Sequence, residues 1–107
     1  MAREQFQNLT EPMYYILMSL FKERCGVDIM EAVDEISNGR VRVGPGTLYS
    51  LLGKFEKENM IRETEVQGRK RSYIITDKGK GILLDEYRRL IIMANDGLLY
   101  LEVNCED

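Results

Sequence analysis

A mainly α fold with one small β-hairpin is the class this sequence predicts, and three observations predict it. Apolar residues recur at helical spacing in three stretches before Met60. Strand-like residues replace that rhythm over Ile61 to Thr76, and an apolar-rich segment then runs to about Leu101.

The first helix starts at Thr10-Glu11-Pro12, where a threonine oxygen can cap free amides and proline fills a position that needs no amide donor. Met13, Ile16, Leu17, Leu20 and Phe21 keep the helical period, and Gly26 is expected to end it. A short second helix, capped by Asp28, carries Ile29, Ala32, Val33 and Ile36 until Asn38-Gly39 stops it. After the turn-like Val43-Gly44-Pro45-Gly46, a third helix is expected over Thr47 to Asn59, with Leu48, Leu51, Leu52 and Phe55 on one side. Asn59 tolerates the left-handed backbone that a helix end often needs. Ile61 to Gln67 sets Arg62, Glu63 and Glu65 against Ile61, Thr64 and Val66, and Ser72 to Thr76 is a β-prone run. Gly68-Arg69-Lys70-Arg71 is read as the turn between them. Thr76 caps a last helix that begins Asp77-Lys78-Gly79, with a loosening expected at Asn95-Asp96-Gly97. Helix, helix, helix, hairpin and long helix is the order of a winged helix-turn-helix with a C-terminal dimerisation helix. Residues 1–80 would be the DNA-binding region and 81–107 the dimerisation helix, together one compact unit.

Composition narrows the function classes. A chain of 107 residues, 44% hydrophobic and 31% charged, fits one soluble domain. Such a domain buries enough surface to fold without disulfide or metal staples. Met1 to Gln7 carry no pattern of a signal peptide. The longest apolar run, Leu90 to Ala94, is far short of the roughly 20 residues a membrane span needs, so the cytoplasm is the expected address, with no membrane partner. Cys25 and Cys105 match no zinc-ligand spacing and read as free thiols in a reducing compartment. The absence of histidine removes histidine-based triads, histidine-ligated metals and the commonest general base. Without a glycine-rich phosphate loop or paired acids in a recognisable frame, no catalytic residue, metal or cofactor is expected.

The net charge of -3 hides a pattern. Residues 1–39 carry -4, residues 40–80 carry +5 and residues 81–107 carry -4, so the positive field sits at the centre of the chain. Within that centre, Thr47, Ser50, Lys54 and Lys57 fall on one arc of helix three, opposite Leu48, Leu52 and Phe55. The apolar arc would seat the helix, and the polar arc would face a major groove, although any surface helix has a polar arc. Gly53 weakens the helix by about 1 kcal/mol relative to alanine, and close approach of a partner would account for it. Arg69, Lys70 and Arg71 concentrate like charge at the hairpin tip, where duplex DNA would neutralise it; solubility or protection of a sheet edge is the plainer alternative.

In these residues the sequence resembles the PadR-like transcriptional regulators, in the smaller subgroup with a single C-terminal helix. The likeness runs from about Leu9 to Leu101. Its most specific pieces are Gly46-Thr47-Leu48-Tyr49, then Leu52, Phe55-Glu56 and Glu58, and Gly68-Arg69-Lys70-Arg71-Ser72-Tyr73 leading to Thr76-Asp77-Lys78-Gly79. Ile16-Leu17 with Leu20 and Gly26-Val27-Asp28-Ile29 support it. Asn59 stands where the family usually has glycine. The resemblance implies a dimeric repressor that binds double-stranded DNA, with helix three in the major groove and the wing on the backbone. It places Thr47, Tyr49 and Ser50 near phosphate and groove, with Arg69 to Arg71 on the wing. Tyr49 lies between the two arcs, so its ring can equally pack with only its hydroxyl exposed. Relatives often respond to small aromatic or hydrophobic effectors, some bound between subunits, yet this chain has no tryptophan and no motif that names one.

The last helix is apolar on more than one side, and a helix of that kind must bury both. One side can pack on its own domain, and the other calls for a second copy, with Tyr87, Leu90, Ile91, Ala94, Leu98 and Leu101 at the interface of a homodimer. A two-fold dimer matches operators whose half-sites lie about 34 Å apart. Two other classes remain: a winged helix that binds protein without DNA, which the acidic flanks would suit, and a thiol sensor using Cys25 or Cys105.

Overall fold

The computed structural model describes residues 8–68 and 70–105; the readings of Met1 to Gln7 and of Arg69 lie outside the described residues. In order the chain forms α1 (Glu11–Ser19), β1 (Arg24–Cys25), α2 (Gly26–Ile36), α3 (Pro45–Lys57), β2 (Ile61–Gln67), β3 (Lys70–Ile75) and α4 (Asp77–Asn104). The strands make one antiparallel sheet in the order β1-β3-β2. This is the winged helix-turn-helix with a long C-terminal helix.

The helix starts obey local chemistry. Thr10 accepts a hydrogen bond from the Met13 amide at 3.3 Å with Pro12 in the first turn, and Thr76 accepts from the Gly79 amide at 3.1 Å. Asn38, Gly39 and Asn59 all take positive φ, so α2 and α3 end where the sequence reading put their stop residues. The loop after α2 is closed by the buried Ser37, whose hydroxyl accepts from the Val41 amide at 3.0 Å.

Several boundaries differ from the sequence reading. α1 ends at Ser19, because the chain turns there and enters β1, whose Arg24 pairs with Tyr73 and Cys25 with Ser72. Gly26 therefore opens α2 with Cys25 at its cap position, in place of Asp28. α3 opens at Pro45, capped by Gly44, two residues before Thr47, and its helical span closes at Lys57 before the left-handed Asn59. Lys70 and Arg71 are not turn residues: they pair with Gln67 and Val66 and begin β3. α4 runs unbroken through Asn95-Asp96-Gly97, since no proline removes a backbone bond and these residues lower helix propensity by no more than about 1 kcal/mol each.

The core lies between α1, α2, α3 and the first turns of α4, with Ile16, Leu17, Leu20, Ile29, Val33, Leu48, Leu52, Phe55, Met60 and Ile61 shielded from solvent. Burying a side chain of the size of Phe55 contributes about 1.5–3 kcal/mol. The base of the wing is tied down by the Ile75 amide donating to the Leu20 carbonyl at 2.8 Å and the Thr76 hydroxyl donating to the Asn59 carbonyl at 2.7 Å. Glu86 of α4 is only 1% exposed and is held by Arg89, whose Nε donates to its carboxylate at 3.1 Å. Gly79 is required by space: a Cβ there would overlap the Met60 carbonyl oxygen and the Ile75 side chain. Gly79→Ala should therefore push α4 off the wing base and destabilise the fold by about 1–3 kcal/mol, read as a lowered midpoint in urea or thermal unfolding.

Candidate nucleic-acid interface

With Leu48, Leu51, Leu52 and Phe55 turned into the core, α3 presents its other side to solvent. Thr47, Ser50, Lys54 and Lys57 are all exposed, as is Gly53, where an added Cβ would meet nothing within 4 Å. The geometry thus leaves a smooth, polar helix surface about four turns long at 1.5 Å per residue.

Tyr49 stands at the edge of that surface, 51% exposed. Its ring rests on Gly26, where a Cβ would overlap the tyrosine hydroxyl and ring, so Gly26 is small because Tyr49 needs the space. Tyr49 therefore packs and remains accessible at once. It lines a groove of about 460 Å³ together with Cys25, Gly26, Val27, Asp28, Lys70 and Arg71. Of the residues singled out in the sequence, the fold brings Tyr49, Lys70 and Arg71 into that groove, and Thr47, Ser50 and Lys54 onto the neighbouring exposed arc. Arg69 lies outside the described residues.

Not every cation of the positive segment is available. Arg40 is 2.7 Å from Glu11 and donates to the Tyr15 hydroxyl at 3.0 Å, which ties it to α1, and its hydrogen bond to Glu11 leads the shift that holds its pKa above the ordinary arginine value. Lys80 sits over the Phe21 ring, 5.5 Å from its centre. Arg42, two residues before the Gly44 cap, is mostly exposed with Asp34 at 3.7 Å, and charge pattern alone could have singled it out. On the wing, Tyr73 is buried and its pKa is raised by that burial, then by the nearby Glu56 and Glu63, while a hydrogen bond from Arg71 works in the opposite direction. The wing is therefore not a simple cationic tip, a feature the run of basic residues concealed.

The residues expected at a dimer interface, Tyr87, Leu90, Ile91, Ala94, Leu98 and Leu101, are all exposed on α4. α4 buries only Gly79, Ile82, Leu83 and Glu86, all near its start, and its 28 residues extend about 42 Å. Among the described residues no helix is long and apolar enough to cross a membrane, and no group of three His, Cys, Asp or Glu side chains could hold a metal ion.

A three-helix body whose third helix turns a polar arc to solvent, with a wing beside it, is the architecture of the winged-helix proteins. The chain belongs to the PadR-like family of transcriptional regulators, whose family model matches residues 15–85. A transcriptional regulator from Clostridium thermocellum superposes with a TM-score of 0.72 at 18% identity, covering 85% of this chain and 94% of that one. A PadR family transcriptional regulator from Eggerthella lenta DSM 2243 superposes with a TM-score of 0.70 at 20% identity, covering 88% of this chain and 80% of that one. A 37.1 kDa uncharacterised protein in transposon TN4556 of Streptomyces fradiae is 34% identical over 58 residues, or 54% of this chain, and the match spans 16% of that protein's length.

Proposed function

We propose that this chain is a homodimeric repressor that reads a two-fold operator, with α3 in the major groove and the wing along the phosphate backbone. In this division of labour residues 1–80 bind DNA and residues 81–107 pair the subunits. The observation that carries the reading is the exposed polar arc of α3 lying beside the groove lined by Tyr49, Lys70 and Arg71, in a chain whose two flanks are acidic. Hydroxyls and lysines on such an arc suit base edges and phosphates, and a wing cation suits the backbone. Arg69 joins this set by its place in the sequence.

Pairing through α4 is supported by its exposed apolar residues, with Leu98, Leu99, Tyr100 and Leu101 each more than half exposed. An apolar surface of that extent calls for a partner. An effector is supported by an apolar cleft of about 230 Å³ between α1 and α4, lined by Tyr14, Met18, Phe21, Leu83, Leu84 and Tyr87. The cleft suits a small hydrophobic or aromatic compound.

Binding titrations at several salt concentrations test the DNA reading. Lys70→Ala with Arg71→Ala should weaken binding to both promoter and random duplex and lower the slope of log affinity against log salt by up to about two. Ser50→Ala should cost about 1–3 kcal/mol on the promoter duplex and less on random DNA if Ser50 meets a base. Wild-type protein that ignores both duplexes at low salt would favour a protein-binding winged helix. For the dimer, Ile91→Asp should give monomers in sedimentation equilibrium and lose the affinity that comes from linked half-sites, and a variant that stays dimeric would exclude that interface. For the effector, thermal-shift screening of aromatic compounds should find ligands that raise the unfolding midpoint, and a flat response across a broad panel would leave the cleft without that role.

A further inference from the structure

Glu63 and Arg71 share one face of the wing with Tyr73, because alternate residues of a strand point the same way. Arg71 Nε lies 3.3 Å from Glu63 Oε2, and that oxygen is buried and accepts no hydrogen bond among the described residues. The guanidinium is thus held from its inner side, while the side chain remains 60% exposed outward.

The register of the hairpin sharpens this arrangement. Glu63 pairs with Tyr73 and Glu65 with Ser72, so Thr64 is an extra residue, a bulge in β2. Regular pairing continued from Ile61 with Ile75 would set Glu65 directly opposite Arg71. The bulge sets Val66 there instead and turns Glu65 to the other face, where it lines a small hollow with Gln67, Lys70 and Ser72. On the face that Arg71 shares, β2 keeps one acid rather than two.

We propose that Glu63 is a specificity-determining positioning residue that restrains Arg71: it fixes the guanidinium and offsets its charge, lowering affinity for arbitrary DNA. The proposal rests on the DNA reading above. A free wing cation is attracted to any phosphate, since backbone contacts carry no sequence information. A cation already partnered gains less from an arbitrary phosphate. It rewards binding when α3 seats the wing at one register.

The experiment is a double-mutant cycle read on a random-sequence duplex at several salt concentrations. Glu63→Gln should tighten binding about two- to fivefold, the range of a partly exposed ion pair, and steepen the salt slope by up to about one. A purely structural role would weaken binding and leave the slope unchanged. In an Arg71→Ala background the same change should do nothing, because the partner is gone. Glu63→Asp should restore the wild-type slope. Should the glutamine variant fail to fold in a thermal melt, Glu63→Thr, neutral and β-favouring, takes its place in the cycle. Unchanged affinity and slope, or an equal gain with and without Arg71, would overturn the role and leave only a change in net charge. A wild-type protein that binds no duplex at low salt would instead remove the DNA reading itself, and this role with it.

Discussion

The apolar arc of α3 decides the outward face of this molecule. Leu48, Leu52 and Phe55 are almost fully withdrawn from water against α1, α2 and the strand residue Ile61. An α-helix repeats every 3.6 residues, so once these side chains are seated the rotation of the helix is set. Thr47, Ser50 and Lys54 then face solvent with no freedom to do otherwise. Everything proposed for DNA depends on that rotation, and the rotation is an outcome of core burial rather than of any polar contact.

The wing shows how a basic run can differ from a basic surface. Lys70 and Arg71 are strand residues, so their side chains leave the sheet on opposite faces, and each meets a different set of neighbours. Acids on β2 share those faces, and the bulge at Thr64 distributes them. Arg40 and Lys80, counted in the same positive segment, are engaged within the domain, Arg40 by Glu11 and Tyr15 of α1 and Lys80 by the ring of Phe21 just beyond it. Net charge along the chain locates the field; pairing determines which cations project it.

α4 begins as a structural member of the core and continues as an apolar rod with nothing of its own chain to cover it. Its anchoring relies on close approach, since Gly79 lies against the Met60 carbonyl and Glu86 is taken into the interior with Arg89. A buried carboxylate is costly without a partner, and Arg89 supplies one from the next turn of the same helix. Beyond Leu90 the helix is exposed on all sides, which is the condition that a second subunit would relieve.

Features that depend on neighbours within about one helical turn can be read from the chain alone. The caps at Thr10 and Thr76, the left-handed stops at Asn38-Gly39 and Asn59, the apolar arc of α3 and the order of elements were all legible, because their causes are local. The family resemblance was legible for the same reason: it is carried by short contiguous motifs around Thr47 and Gly68. Features that depend on residues far apart in the chain emerge with the folded arrangement. β1 is two residues long, too short for any pattern, and exists because β3 offers Arg24 and Cys25 a partner edge. That edge carries Gly26 into helix two and beneath Tyr49. The bulge at Thr64 depends on which residue of β3 each residue of β2 meets, and strand register is a property of the pair. Restraint of Arg71 by Glu63 follows from that register, so it could not be read from a run of three basic residues.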